Sequence, residues 1–429
     1  LNKSIMKKSL IFAAVAAVVL SACAKVETVK VASEDEAIGF GVYVPKAVSK
    51  AGATGQTTTT SIQRAQADGG GFGVFTYYTD DQTYAGAVAA GKNKPNFMYN
   101  QGVFYNSTAW EYNPVKYWPN EYGSGASSGD RTDRLSFFAY APYVSEASGD
   151  EGITAIAPAN NAAGDPNVTY VLATDPTKVV DLCWAVDAAD GFPWIDETKQ
   201  TVTGDVNFRF LHALARFNVN VRGYFDEVRS TEGAVSTDDV DENTKITIEK
   251  IEIAGSLYPS GVLNLNNSAA YTANWTLTTA ETKTLTIANS DIAASLKANE
   301  GGESSFPGIT VTGVTTTNVN VYTGEAPAVA DEKYFTILPN AGDPKTLTVK
   351  VTYYVTTRDA NLDGGISCVK NVIQKDITFD EFLNGKIYNL NVVLGLTTVK
   401  LEATVENWDT ETTDKDVDLP VNTAGTAGA

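Results

Sequence analysis

The stretch Leu347-Thr348-Val349-Lys350-Val351-Thr352-Tyr353-Tyr354-Val355 carries an apolar residue at every second position. A period of two puts Leu347, Val349, Val351, Tyr353 and Val355 on one face of a β-strand. The pattern recurs on both sides. Phe217, Val219 and Val221 alternate. Ile246 and Ile248 alternate, and Ile251 and Ile253 continue one residue out of phase. Tyr388, Leu390, Val392, Leu394 and Leu396 share one parity, and Val399, Leu401, Ala403 and Val405 share the other. A one-residue slip swaps faces, so Thr397-Thr398 is expected to be a bulge or a crossing between sheets.

Before residue 207 the expected strands are shorter and more aromatic. They include Phe72-Gly73-Val74-Phe75, Leu135 to Pro142 (the most apolar) and Val179 to Val186. No stretch sustains a 3.6 period between caps, so helices are expected to be few and short. One short helical turn is expected at 379–384. Thr378-Phe379-Asp380-Glu381 has the form of a capping box, and Gly385 suits a helix stop. Many alternating strands between Gly, Pro and Asn turns predict an all-β fold of β-sandwiches.

The 429 residues suggest two domains or more. With 32 basic and 51 acidic residues the net charge is −19. That argues against nucleic-acid binding, which needs a basic footprint. A single histidine leaves little for metal, nucleophile or proton-shuttle chemistry. Cys183 and Cys368 could form one disulfide, but two buried free thiols fit better. No residue set calls for a cofactor.

Residues 1–22 read as a signal peptide. Lys7-Lys8 precedes an apolar run from Leu10 to Leu20, which ends in Leu20-Ser21-Ala22-Cys23. Met6-Lys7-Lys8 is a better opening for such a leader than Leu1-Asn2-Lys3. The run is too short to span roughly 30 Å of hydrocarbon. Its ending looks like the lipobox of bacterial lipoproteins, which makes Cys23 the lipidated residue. Residues 23–37 then read as a polar tether.

Ile38 to Val44 reads as a strand with Ile38, Phe40, Val42 and Val44 on one face. Pro45 ends it or places it at an edge. Lys46 and Lys50 follow, then a Gly/Thr-rich run from Ala51 to Ser61 that is expected to be mobile and cuttable. Arg64 lies just beyond.

Other motifs read as structure. Gly125-Ala126-Ser127-Ser128-Gly129 matches G-x-S-x-G but lacks the strand–turn–helix elbow, so it reads as a loop. Gly69-Gly70-Gly71-Phe72-Gly73 leads into a strand, not a helix, and reads as a linker. Asp359-Ala360-Asn361-Leu362-Asp363-Gly364 opens like a calcium loop. Its twelfth position is Lys370, where a Glu is needed, so a hairpin turn fits better. His212, within Phe208 to Leu214, reads as a hydrogen-bonded core residue. Tyr112, Tyr117, Trp118 and Tyr140 could line a sugar-binding face, though packing in the core explains them better.

Several segments together carry a resemblance. They are Trp110 to Pro119, Leu135 to Pro142, Phe210 to Phe217, Gly385-Lys386-Ile387-Tyr388-Asn389-Leu390 and Val405-Glu406-Asn407-Trp408. In this order, behind the lipobox, they resemble the fimbrillin-like family of type V pilus subunits, outer-membrane lipoprotein precursors of the Bacteroides type. The resemblance implies two tandem transthyretin-like Greek-key β-sandwich domains, expected at 51–207 and 208–429, with few short helices. It implies no enzyme but a fimbrial subunit matured by a trypsin-like surface protease. Residues 38–50 correspond to the removable N-terminal strand. The cut is expected between Lys50 and Ala51, or alternatively between Arg64 and Ala65. The emptied groove would accept a strand from another copy or a related subunit, giving a head-to-tail polymer by donor-strand exchange. The expected donor lies within Val399 to Pro420, with apolar positions Val399, Leu401, Val405, Val417 and Leu419. The precursor would be held in the outer membrane by its lipid and the polymer would form a surface fimbrium. A surface-anchored adhesin or glycan-binding lipoprotein is the competing expectation.

Overall fold

A computed structural model describes residues 37–45, 56–119, 133–145, 149–199, 201–202, 204–223, 244–287, 309–310, 319–320, 334–363, 365–394 and 399–408. These residues are almost entirely β. One sheet contains β1 (Phe40–Tyr43), β2 (Phe72–Tyr78), β3 (Met98–Tyr105), β4 (Trp110–Glu111), β5 (Leu135–Ala141), β8 (Cys183–Val186), β9 (Trp194–Glu197) and β10 (Val206–His212). Its order is β1-β10-β8-β5-β2-β3-β4, with β9 beside β5. A second sheet runs β14 (Thr272–Leu277), β13 (Ser260–Ala269), β7 (Asn167–Val171) and β6 (Gly152–Ala157).

The remaining strands build two more sheets. One runs β17 (Val319–Asn320), β11 (Ala215–Gly223), β21 (Lys386–Leu394) and β22 (Val399–Asn407), with β18 (Phe335–Ile337) also on β11. The other runs β15 (Glu281–Ile287), β12 (Thr244–Leu257), β19 (Lys345–Arg358) and β20 (Ile366–Phe379), with β16 (Ile309–Thr310) on β12. The helices are α1 (Thr59–Ile62), α2 (Tyr84–Ala89) and a 3-10 turn at Gln66–Asp68. Among the described residues no helix is long and apolar enough to cross a membrane.

The alternating runs fold as their period dictates. Leu347, Val349, Val351 and Tyr353 of β19 are buried in one core with Phe217, Val219, Leu390 and Val392. The phase slip after Ile248 is a β-bulge, since pairing with β19 skips one residue between Ile248 and Lys250. β5 lies between β2 and β8 and buries all seven residues, which is why it is the most apolar strand. Its two faces feed two cores. Phe137 and Ala139 pack with Phe40, Phe72 and Phe208. Phe138 and Tyr140 pack with Trp184, Tyr170 and Leu263.

The structure departs from expectation at several places. Thr397-Thr398 lie outside the described residues, but the strands on either side neither continue one another nor belong to different sheets. β21 and β22 are antiparallel neighbours with Leu394 opposite Val399, so the chain reverses between them, and the reversal resets the parity. Thr378 starts no helix. It belongs to β20, where its hydroxyl meets that of Thr346 at 2.9 Å, and Glu381 accepts from the Gly342 backbone N–H at 2.9 Å instead of capping. Phe379 and Phe382 are pulled into the core against Phe217. Cys183 and Cys368 form no disulfide, yet only Cys183 is buried, because Cys368 stands opposite Thr356 on the edge strand β20.

The Gly/Thr-rich run is anchored in its second half, as Gln56 and Thr57 are buried. Of the strand candidate Val179 to Val186, only Cys183–Val186 pairs as a strand. β10 continues to His212, so the chain leaves its first sheet past the expected 207/208 boundary. β13 and β14 return to pair with β7, so the second sheet takes strands from both sides of that boundary. The Asp359 loop is a hairpin connection. Asp359 Oδ1 accepts from Asn361 N at 2.9 Å, and Arg358 stands opposite Ile366.

Candidate functional site

β1 is an edge strand held by a backbone ladder on one side and by its buried apolar side chains. It pairs in parallel with β10, from Phe40 opposite Val206 to Tyr43 opposite Arg209. Ile38, Phe40, Val42 and Val44 are all buried, as their shared face requires. Phe40 lies 5.5 Å from Phe208, stacked, and 5.4 Å from Tyr112. It also meets Phe72 at 6.1 Å and Phe137 at 6.3 Å. Besides the β10 ladder, β1 is tied at both ends, with Val44 N donating to Thr59 Oγ1 at 3.2 Å after the strand. Ile38 N donates to Lys116 O at 2.9 Å, and Tyr112 Oη donates to Ile38 O at 2.8 Å.

Gly39 and Gly41 leave room beside β1 for the side chains of Asp205 and Asn207. A Cβ at Gly39 would overlap the Asp205 carboxylate, and one at Gly41 would overlap the Asn207 amide. Partial desolvation against this backbone raises the pKa of Asp205, although the residue as a whole remains exposed.

After the strand, the chain is tied down again at a buried polar knot. Thr57 N donates to Asp181 Oδ2 at 2.8 Å, and Thr57 Oγ1 donates to Asp181 O at 2.5 Å. Asp181 also holds His212, whose Nδ1 lies 2.9 Å from Oδ2 and 3.0 Å from Oδ1. Cys183 Sγ lies 3.5 Å from the same Nδ1. Gln56 accepts from Arg216 at 3.3 Å, and the Arg216 guanidinium lies 4.4 Å from the Tyr334 ring centroid. Trp408, at the end of β22, covers the knot by stacking on His212 at 3.9 Å.

Asp181, Cys183 and His212 bring three metal-ligating atoms within 4.8 Å of one another. A cysteine nucleophile would need its base to meet the thiol and the carboxylate with different ring nitrogens. Here both converge on Nδ1, and all three side chains are sealed from solvent. The carboxylate is already shared between His212 and Thr57. The knot is therefore a buried hydrogen-bond cluster centred on Asp181, which bears out the reading of His212 as a hydrogen-bonded core residue.

The remaining expected positions divide. Arg64 and Ala65 are exposed at the end of α1, and Ala65 O accepts from both Asp68 N at 2.9 Å and Gly70 N at 3.1 Å. Val399 is buried and Leu401 half-buried in β22, paired with their own neighbour β21, while Val405 is 55% exposed. Cys23, Lys50, Ala51, Val417 and Leu419 lie outside the described residues, as does the Ser127 loop. Trp118 and Tyr140 are buried in the core, whereas Tyr117 is 51% exposed. The sequence reading missed Asp181 and Thr57. A lone aspartate in an apolar run was the available signal for the first.

No protein-family model matches the chain. Its sequence is 27% identical over 404 residues to the fimbrium subunit Fim1C of Phocaeicola vulgatus, covering 89% of this chain and 91% of that one. Its fold matches a fimbrial protein from Bacteroides vulgatus with a TM-score of 0.56 at 21% identity, covering 87% of this chain and 100% of that one. Both comparisons find fimbrial proteins, and the fold is shared with the solved one over most of both chains.

Proposed function

We propose that this chain is a structural subunit of a cell-surface fimbrium, made as a lipoprotein anchored to the outer membrane through Cys23 and polymerised by donor-strand exchange. The observation that carries the reading is β1. It is an edge strand of four residues, paired on one side, with four apolar side chains at Ile38, Phe40, Val42 and Val44 in the core. Burying them contributes about 6–10 kcal/mol before entropy is subtracted. Removal leaves the edge of β10 with unpaired backbone groups over an apolar groove, and such an edge recruits a strand. β1 runs parallel to β10, and parallel pairing is slightly weaker per residue than antiparallel. An incoming strand of opposite direction would gain on that account.

A trypsin-like surface protease is the proposed partner in maturation, and Lys50–Ala51 the proposed bond. Arg64–Ala65 sits in a helix end and 3-10 turn whose carbonyls are engaged, so cutting there needs local unfolding. A cut at Lys50 frees β1 and leaves Gln56 and Thr57 holding the new N-terminus. The proposed donor is the arm after Trp408, with Val417 and Leu419, because Val399 to Val405 already serve β21. Other copies and related subunits are the polymer partners. N-terminal sequencing of protein extracted from the cell surface tests the reading, with Ala51 expected as the first residue. An N-terminus still carrying lipidated Cys23 on polymerised material would overturn it.

A further inference from the structure

We propose that a groove beside β3 and β4 binds a neutral oligosaccharide. The groove has a volume of about 400 Å³ and is lined by β3, the segment after β4 and Tyr143. That lies within the size range of small-molecule sites, roughly 300–1,000 Å³.

Its floor is aromatic and built on bare backbone. Phe104 and Tyr143 stand edge to face, 5.2 Å apart at 86°. A Cβ at Gly102 would come within 2.8 Å of Phe104 and 2.9 Å of Tyr143, and one at Gly71 within 2.5 Å of Phe104. Only glycine at these two positions lets the rings lie where they do. Tyr105 leans on Trp110 at 5.2 Å. Tyr112 lines the groove too, and its hydroxyl is occupied by Ile38 O, so it offers its ring.

The polar groups at the rim are fixed in advance. Asn106 Oδ1 accepts from Thr108 N, Thr108 Oγ1 and Ala109 N at 2.7–2.9 Å. Its amide donates to Glu111 Oε1 at 2.5 Å, which sets the carboxylate. The second carboxylate oxygen and the Asn113 side chain take no bond from a described residue, and both residues are exposed.

This combination fits a pyranose ring. One face of such a ring is a patch of C–H groups, which packs on aromatic rings. Its rim is a series of hydroxyls that both donate and accept, matching a carboxylate and a primary amide. Glu111 is the one charged residue of the lining, and the chain carries −19 overall. Phosphorylated, sulfated or sialylated ligands are therefore disfavoured and neutral sugars preferred. The lining residues all belong to one chain and lie outside β1, and Tyr112 alone among them bonds to the removable strand, through Ile38 O.

Saturation-transfer NMR on the purified full chain tests the proposal. The probes are maltohexaose, xylohexaose, mannopentaose and lacto-N-tetraose, each at millimolar concentration. At least one is expected to receive saturation, strongest at its axial C–H protons. Tyr105→Ala and Glu111→Gln should each weaken it about tenfold or more, with near-UV circular dichroism unchanged. Val372→Ala on the distant β20 should leave it as it was. Should Tyr105→Ala unfold, Asn113→Ala at an exposed position gives the same reading. No transfer to any probe, or binding undiminished in the groove variants, overturns the proposal. So does a groove that takes tetramethylammonium and no sugar, since that identifies a cation cage.

Discussion

The indole of Trp408 lies flat on the imidazole of His212, with ring centroids 3.9 Å apart and planes 8° from parallel. His212 ends β10, the strand that pairs with β1, and Trp408 follows β22, the strand that leads into the C-terminal arm. The stack joins the root of the proposed donor to the strand that would receive one. Trp408 N also donates to Gly385 O at 2.7 Å, and Gly385 N to Leu214 O at 3.1 Å, so backbone bonds bracket the same junction.

Trp408→Ala should destabilise the chain by about 3–5 kcal/mol, the usual cost of emptying a large aromatic site. Trp408 is fully buried, so little relaxation is available. Urea denaturation followed by circular dichroism reads the loss. A change below about 1 kcal/mol would show that the stack is incidental.

Asp181→Ala should cost about 1–3 kcal/mol, because it leaves the Thr57 N–H and His212 Nδ1 buried without their acceptor. It should also free the segment at Gln56 and Thr57. Amide exchange at Thr57 should quicken markedly, while exchange in β19 stays slow. Equal quickening at both would mean global loosening, not release of this segment.

Most strands were legible because alternation is a local signal. Ile38, Phe40, Val42 and Val44 share a face in any strand, whatever it pairs with, and all four are buried. The slip at Ile248 was legible for the same reason and became a bulge. Pairing across distance was not. Nothing within Ser260 to Ala269 marks it as a partner of Asn167–Val171. The 378–381 box failed because Thr378 pairs with Thr346 in the β19–β20 ladder, a partner 32 positions away. The knot escaped notice because Asp181 and His212 meet across 31 positions, and only the fold aligns β8 with β10. Parity in the last run was read correctly, but parity alone cannot separate a bulge from a reversal.

Asp205 should make retention of β1 depend on pH. Its pKa is raised above 3.8 by partial desolvation beside Gly39. A raised carboxylate pKa means that the state with β1 in place binds the proton more tightly. The contribution is full below 3.8 and is lost as pH rises through the raised value. After cutting, β1 should therefore leave faster at neutral pH than near pH 4. Asp205→Asn should slow release at neutral pH and flatten this part of the profile. A pH dependence identical in wild type and Asp205→Asn would remove Asp205 as its source.

Gly41→Val should displace the strand from its seat, since a Cβ there overlaps the Asn207 amide, which can turn aside only by giving up its bond to Asp205 O. The expected product is a precursor whose β1 is unpaired and which oligomerises before any cut. Size-exclusion chromatography of uncut protein checks it, and a monomer with a protected Val42 amide would contradict it.

The fullest test concerns strand replacement itself. While β1 is bound, Phe40 fills a site between Phe72, Tyr112, Phe137 and Phe208, and the edge of β10 is covered. Cutting after Lys50 changes no contact, but it turns the strand into a separate ligand. Its departure then exposes Val206 and Phe208 beside unpaired backbone groups. The arm after Trp408 carries fewer apolar side chains than β1, so its gain must come partly from a new backbone ladder. The contact joins one chain's tail to the next chain's groove, and such a contact does not close on itself. Trypsin-treated protein should therefore give a ladder of SDS-resistant species. Protein truncated after Trp408 should be cut at the same rate and give none. Phe40→Ala weakens the resident strand by about 3–5 kcal/mol, and should speed the ladder after cutting. Ladders that form without the arm, or in a variant with Lys46, Lys50 and Arg64 all changed to alanine, would falsify strand replacement by this route.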